Sequence, residues 1–272
     1  MAEGRSAIDG AWLAAHVGDP NVCVVEVDVS RATYDAGHIP GAVLWNAYAD
    51  LRGSDYLPIG RPEFERLLSR SGIAPETTLV FYGYGAALGF WLMTAHGHRD
   101  VRILVGSREQ WAQAGGHWST TVPEQAETSY PLPPPNAEVF ASRATIEAAI
   151  GGDTESLLLD VRADLEYNGE RFWPSGATAD VGRAGHLPGA ISVPIDLLRN
   201  EDDTLKSTDE LSRALDRAGV MSERKVIVYC TIGNRASLAW YALKYLLGYP
   251  HVSVYYASWV EWGKAADTPV ES

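Results

Sequence analysis

The residues in this chain best suited to chemistry are Cys230 and, five positions on, Arg235. A cysteine thiolate is a strong nucleophile. An arginine at that spacing either faces an anion or pairs with a nearby acid. Between them lie Thr231, Ile232, Gly233 and Asn234. The run before the cysteine, Val226-Ile-Val-Tyr229, reads as a buried strand. The run after it places Ala236, Leu238, Ala239, Ala242, Leu243, Leu246 and Leu247 on one helical face. The thiol thus occupies a strand-to-helix turn, beneath a helix N-terminus, where backbone N–H groups and the positive helix end favour negative charge. Placement alone does not separate a nucleophile from a small buried hydrophobe. No histidine lies near Cys230 in sequence, so local spacing does not indicate a Cys–His dyad.

The elements that must carry this turn occur twice. Ala36-Gly-His-Ile-Pro-Gly-Ala42 recurs as Ala184-Gly-His-Leu-Pro-Gly-Ala190. An apolar strand ending in an acid precedes each, Val24-Val-Glu26 and Leu157-Leu-Leu-Asp160. A second strand follows each, Leu79-Val-Phe-Tyr82 and Val226-Ile-Val-Tyr229. Matching tails close the halves, Val101 to Ser107 with Trp111 and Val252 to Ser258 with Trp262. Repeats this far apart are duplicated domains, not solenoid units of about 20–50 residues. Helices are expected over 8–17, 62–70, 144–150 and 208–217. Strands alternating with helices predict an α/β fold, two tandem domains each with a parallel sheet flanked by helices. In such sheets ligands bind beyond the carboxyl ends of the strands, which is where Cys230 lies. Prolines 123, 131, 133, 134 and 135 mark a linker over 122–137. The domains are therefore read as 1–121 and 138–272.

The halves are not equivalent. Gly83 occupies the position of Cys230, so the first half has no thiol at its turn. Eleven positions separate Glu26 from Gly37, but twenty-five separate Asp160 from Gly185. The extra residues, roughly 165–183, include Glu166, Arg171, Trp173, Pro174 and Arg183 and read as a lid or wall beside the thiol. Arg162, two positions after Asp160, either points at an anionic substrate or forms a structural ion pair. His38 and His186 sit in the same motif in both halves, including the half without a thiol, which favours a turn-holding role over catalysis. Cys23, within Val22-Cys-Val-Val25, reads as a small strand hydrophobe. Ser258 is expected to cap the helix that starts there, with Trp259 and Trp262 packed near the active loop.

Composition narrows the function. With 272 residues and 46% hydrophobic content the chain can build sizeable cores. A formal charge of −13 argues against nucleic-acid binding, and an anion site would have to be built locally. Two cysteines are too few for a disulfide framework, and the sequence shows no clustered zinc ligands. No apolar run approaches the length of a membrane span, and the first residues do not resemble a signal peptide. The expectation is a cytoplasmic protein that binds neither nucleic acid nor membrane and needs no metal or cofactor.

The paired Gly-His-x-Pro-Gly-Ala motifs, Tyr229-Cys-Thr-Ile-Gly-Asn-Arg-Ala-Ser237, Leu246-Leu-Gly-Tyr-Pro250 and Ser258-Trp-Val-Glu-Trp-Gly263 together resemble a two-domain rhodanese, most like bacterial thiosulfate sulfurtransferases. The resemblance spans about residues 6–264. It implies that Cys230 takes a sulfane sulfur from thiosulfate as a persulfide and passes it to cyanide or a thiol, by double displacement. It also implies Gly83's lack of a thiol. Arg235, Arg162, Arg171 and Arg183 are the candidate contacts to the donor. Phosphatases related to the family place the arginine six positions after the cysteine, and this loop is one residue shorter. The chain departs from the family in Thr231 and Ile232, at one or other of which thiosulfate-specific members often carry a basic residue. It also departs in Glu166, where some members carry arginine, in Ala257, where an acid often supports the loop, and in the short turn Gly83 to Gly89. Alternatives are 3-mercaptopyruvate as donor, a persulfide carrier that hands sulfur to a protein acceptor, or a regulatory module with a dead site.

Overall fold

A computed structural model describes residues 6–178, 181–201 and 204–272. Residues 1–5 of the expected first domain and 179–180 of the insertion lie outside the described residues. The chain divides into two compact units, Met1–Ser54 with Pro58–Pro135, and Asp55–Leu57 with Asn136–Ser272.

The first unit runs β1 (Ala7–Ile8), α1 (Gly10–His16), β2 (Val22–Asp28), α2 (Ala32–Ala36), β3 (Val43–Asn46), α3 (Arg61–Arg70), β4 (Thr78–Tyr82), α4 (Ala86–Ala95), β5 (Val101–Leu104) and α5 (Ser107–Gln113). Its five strands are all parallel, in the order β1-β5-β4-β2-β3. The second unit runs β6 (Phe140–Ala141), α6 (Arg143–Ile150), β7 (Ser156–Asp160), α7 (Asp164–Tyr167), β8 (Ile191–Ser192), α8 (Thr208–Arg217), β9 (Lys225–Tyr229), α9 (Asn234–Tyr241), β10 (Val252–Tyr255) and α10 (Ser258–Trp262). A 3₁₀ turn at Ile195–Leu197 follows β8, and a π-turn at Ala242–Leu246 extends α9. Its sheet order, β6-β10-β9-β7-β8, repeats the first, again all parallel. Both units are thus α/β, with a parallel sheet flanked by helices.

Sequence chemistry explains the elements. The central strands β4 and β9 are unbroken apolar runs because both their faces are covered. Helix α8 begins after Ser207, whose side chain and that of Glu210 close a reciprocal capping box, and it buries Leu211 and Leu215. Helix α6 starts from Ser142, with Thr145 as its reciprocal partner. The expected opening helix at 8–17 starts later than read. Ile8 belongs to β1, paired with Leu104, and Asp9 caps α1 through the Trp12 N–H. Residues 122–135 carry no regular element, yet they do not hang free of the first unit. Tyr130 and Leu132 are buried, the Thr128 N–H donates to Ser69 O at 3.3 Å, and the Tyr130 hydroxyl meets His98 Nδ1 at 2.7 Å. Among the described residues no helix is long and apolar enough to cross a membrane.

Candidate active site

The site is assembled at the carboxyl ends of β7 and β9, which are neighbours in register, with Asp160 opposite Tyr229. Cys230 follows Tyr229 directly and is 1% exposed. Its Sγ accepts a hydrogen bond from the Gly233 N–H at 3.0 Å. Gly233 has φ +88°, and a Cβ there would lie 2.6 Å from Tyr256 Cδ2 and 2.9 Å from Tyr256 O. Only glycine fits both that backbone and that contact. Helix α9 begins one residue later, so its free N–H groups open beside the sulfur.

The base of the loop is tied to β10 and α10. The Cys230 N–H donates to Ser258 Oγ at 3.2 Å, and the Ser258 hydroxyl donates to Tyr255 O at 2.7 Å. The Trp259 N–H donates to Cys230 O and the Val260 N–H to Thr231 O, both at 3.0 Å. Ser258 thus holds the loop instead of capping its own helix, contrary to the sequence expectation. It adopts φ +56°, which turns its hydroxyl back under the cysteine.

Charge is held in two buried pairs. Glu166, in the first turn of α7, is fully buried. Its Oε2 accepts from Arg235 Nη1 at 2.8 Å and from the Ala163 N–H at 3.2 Å. Its Oε1 accepts from Arg235 Nη2 at 2.8 Å and from the Thr231 hydroxyl at 2.7 Å. Arg235 Nη2 also reaches Thr231 Oγ1 at 2.7 Å. Burial pushes the Glu166 carboxyl up, but the Arg235 bonds and charge outweigh it, and the group is held below its usual 4.5. Burial likewise opposes the Arg235 charge, and Glu166 and the neighbouring Cys230 outweigh it to raise the guanidinium.

Arg162, which the sequence left between two roles, forms the second pair. It is fully buried, binds Asp160 in bidentate fashion at 3.0 and 2.6 Å, donates to Gly185 O at 2.7 Å and lies 4.5 Å over the Trp259 ring. That is a fully buried ion pair, with Arg162 Nη1 beside it buried and without a hydrogen-bond partner. Arg183 is turned to the C-terminal segment, donating to Thr268 O at 2.6 Å and to Ala265 O. Arg171 Nε is buried without a hydrogen-bond partner, and its backbone N–H donates to Leu165 O at 3.1 Å. Of the four expected arginines, Arg235 is the one that bonds a loop residue, Thr231, while Arg162 and Arg183 bond elsewhere. Ile232 faces the core and Thr231 faces Glu166. Asn234 opens α9. Glu166 is the residue that sequence reasoning did not assign to the site. The signal was an acid on the same insertion-bearing half, but 69 positions separate it from Arg235.

The first unit shows what the loop is without chemistry. The Gly83 N–H donates to Ser107 Oγ at 2.8 Å, with Ser107 at φ +51°, just as Ser258 serves Cys230. Gly83 itself has φ +93°, and a Cβ there would sit 2.8 Å from Val27 O and 3.1 Å from Glu26 Cγ. His38 and His186 stack on Tyr34 and Tyr167 at 3.8 and 3.7 Å, and each Nδ1 meets that tyrosine's carbonyl oxygen at 2.9 Å. Both histidines therefore hold turns. Cys23 is buried in β2, its thiol pushed up to about 12 by burial.

Known proteins are similar to this chain along most of its length. A model of the rhodanese-like domain matches residues 9–114 and again 142–265. The "Sulfur carrier protein TtuD" of Thermus thermophilus is 38% identical over 269 residues, 95% of this chain and 94% of that protein. A Mycolicibacterium smegmatis protein named "Putative thiosulfate sulfurtransferase" is 36% identical over 281 residues, 100% and 99% of the two chains. Among solved structures, an anaerobic ergothioneine biosynthesis enzyme from Chlorobium limicola, in complex with trimethyl histidine, superposes with a TM-score of 0.86 at 25% identity, covering 100% of this chain and 71% of that one. Two matched domains, two parallel sheets of the same order and one thiol-bearing loop lead to one conclusion: this chain belongs to the rhodanese family, as a tandem rhodanese-like sulfurtransferase.

Proposed function

We propose that the chain transfers a sulfane sulfur through a persulfide on Cys230. The observation that carries this reading is the Gly233 N–H, 3.0 Å from Cys230 Sγ at the N-terminus of α9. Preorganised donors there stabilise negative charge on the attacking sulfur, and on the outer sulfur once it is bound. With thiosulfate, the Cys230 thiolate attacks the outer sulfur. The S–S bond of the donor breaks, its electron pair leaves with sulfite, and Cys230 is left as a persulfide. Cyanide or a thiolate then attacks the outer sulfur, and the electron pair of the persulfide S–S bond returns to Cys230. Thiosulfate enters through the names of several relatives; 3-mercaptopyruvate is the alternative donor.

Mass spectrometry after incubation with each donor tests the reading. A gain of one sulfur on Cys230, absent in Cys230→Ser, supports it. No gain with either donor, or a gain retained in Cys230→Ser, sinks it. A second reading, a carrier that holds its persulfide for a protein acceptor, is favoured by the 1% exposure of Cys230 and by the sulfur carrier among the relatives. Stable sulfur loading with slow turnover of thiosulfate and cyanide would select it.

A further inference from the structure

Helix α10 backs the Cys230 turn, and it is too short to hold itself. It spans five residues, far below the roughly 12–15 at which a helix is stable alone. Its first amides carry the loop. The Trp259 N–H takes Cys230 O and the Val260 N–H takes Thr231 O, and each bond fixes the plane of one trans peptide unit beside the thiol. The other end of α10 is gripped by Arg183. The Arg183 N–H donates to Gly263 O at 2.8 Å, and Trp259 Nε1 donates to Arg183 O at 3.0 Å. The guanidinium donates to Trp262 O at 3.4 Å, to Thr268 O at 2.6 Å and to Ala265 O. The Thr268 hydroxyl, which also accepts from that guanidinium, donates to Trp262 O at 2.7 Å. These carbonyls gather at the C-terminal end of α10 and the turn beyond it, where a cation is favoured. The backbones touch as well, since a Cβ on Gly182 would lie 2.4 Å from Gly263 O.

The repeat supplies an internal comparison. Arg183 stands directly before the second Ala-Gly-His motif. The matching residue before the first is Asp35, of opposite charge, which pairs with Arg31 at 2.9 Å. Helix α5, the counterpart of α10, ends on its own backbone, with the Gly115 N–H on Ala112 O and the Gly116 N–H on Trp111 O, both at 3.0 Å. The fold therefore closes in the first unit on backbone bonds, and the arginine clamp accompanies the turn that bears the thiol. We propose that Arg183 is a positioning residue for sulfur transfer: from the end of the inserted segment it clamps the C-terminal end of α10, and α10 fixes the peptide planes that bring the Gly233 N–H to Cys230 Sγ. This rests on the reading of Cys230 as the sulfur acceptor. Arg183 acts through α10 and takes no part in bond making.

The test measures sulfur loading of Cys230 by mass spectrometry over a range of thiosulfate and, separately, 3-mercaptopyruvate concentrations, per folded molecule. The proteins are the wild type, Arg183→Ala, Arg183→Lys and Thr268→Val. The Gly233 amide proton resonance is followed in each, because it reports the bond to Cys230 Sγ without any donor. Arg183→Ala should lower the maximal loading rate about tenfold, the worth of one weakened charge-assisted hydrogen bond, with the half-saturating concentration unchanged to within about twofold and the Gly233 resonance moved upfield. Arg183→Lys keeps a cation that reaches fewer carbonyls and should lose only about threefold. A raised half-saturating concentration at an unchanged maximal rate makes Arg183 a donor contact and overturns the proposal. A lowered melting temperature with loading and the Gly233 resonance unmoved shows a purely structural role and overturns it too. If Arg183→Ala does not fold, Thr268→Val decides: slower loading with an upfield Gly233 shift upholds the clamp, and neither change overturns it. If neither donor loads the wild type, the sulfur-transfer reading fails, and the Gly233 resonance still decides whether Arg183 sets the turn.

Discussion

Removing either partner of the Arg235–Glu166 pair should cost unequal amounts, and removing both should cost less than the sum. Glu166 is fully buried and takes four donors, two of them from Arg235. Arg235→Gln leaves a buried carboxylate with its charge unanswered, which costs about 3–5 kcal/mol. Glu166→Gln leaves a guanidinium whose side chain keeps 15% exposure, so water relieves part of the loss and the cost is about 2–3 kcal/mol. In the double variant neither charge remains, and two amides of similar length can bond each other. A coupling of about 2 kcal/mol is therefore expected. Urea unfolding provides the measurement, with amide exchange of β9 following the second unit on its own. Costs that add to within about 0.5 kcal/mol would refute the pairing. The pH dependence follows from the same carboxylate. Its pKa in the folded chain lies below 4.5, so its stabilisation is complete above that value and is lost as pH falls through the folded value. Glu166→Gln should flatten that acid limb.

Three further outcomes are expected. Gly233→Ala forces a left-handed backbone and sets a methyl 2.9 Å from the Tyr256 carbonyl oxygen, so it should cost about 2–4 kcal/mol and abolish sulfur loading, checked by unfolding and mass spectrometry. Gly83→Cys should not create a second sulfur site. Its Cβ would meet Val27 O at 2.8 Å, and the variant should load one sulfur per chain or fail to fold. Cys23, with its thiol pushed up to about 12, should resist iodoacetamide at pH 8 in the native chain and react only after denaturation, read by peptide mapping.

The duplicated architecture was readable because it rests on local pattern. Amphipathic periods mark α3, α6 and α8, and unbroken apolar runs mark β4 and β9. The place of Cys230 follows from the same pattern, since a strand and a helix on either side leave only a turn between them. What stayed hidden is decided by pairing across the chain. β1 is two residues long and exists because Ile8 meets Leu104. Ser258 looks like a helix cap in sequence, but its hydroxyl finds the Cys230 amide 28 positions away. Arg162 and Arg235 look alike as arginines after a strand. Only the fold shows that Asp160 closes over the first and Glu166 over the second.

The closed turn at Gly83 has a kinetic consequence. With a carbonyl filling the space where a second thiol would stand and Cys23 sealed in its strand, the proposed persulfide on Cys230 would give each chain a single parking place for sulfur. On that proposal donor and acceptor would visit it in alternation. Reciprocal plots at several acceptor concentrations should then run parallel, and excess acceptor, by occupying the unloaded thiol's surroundings, should inhibit competitively against the donor.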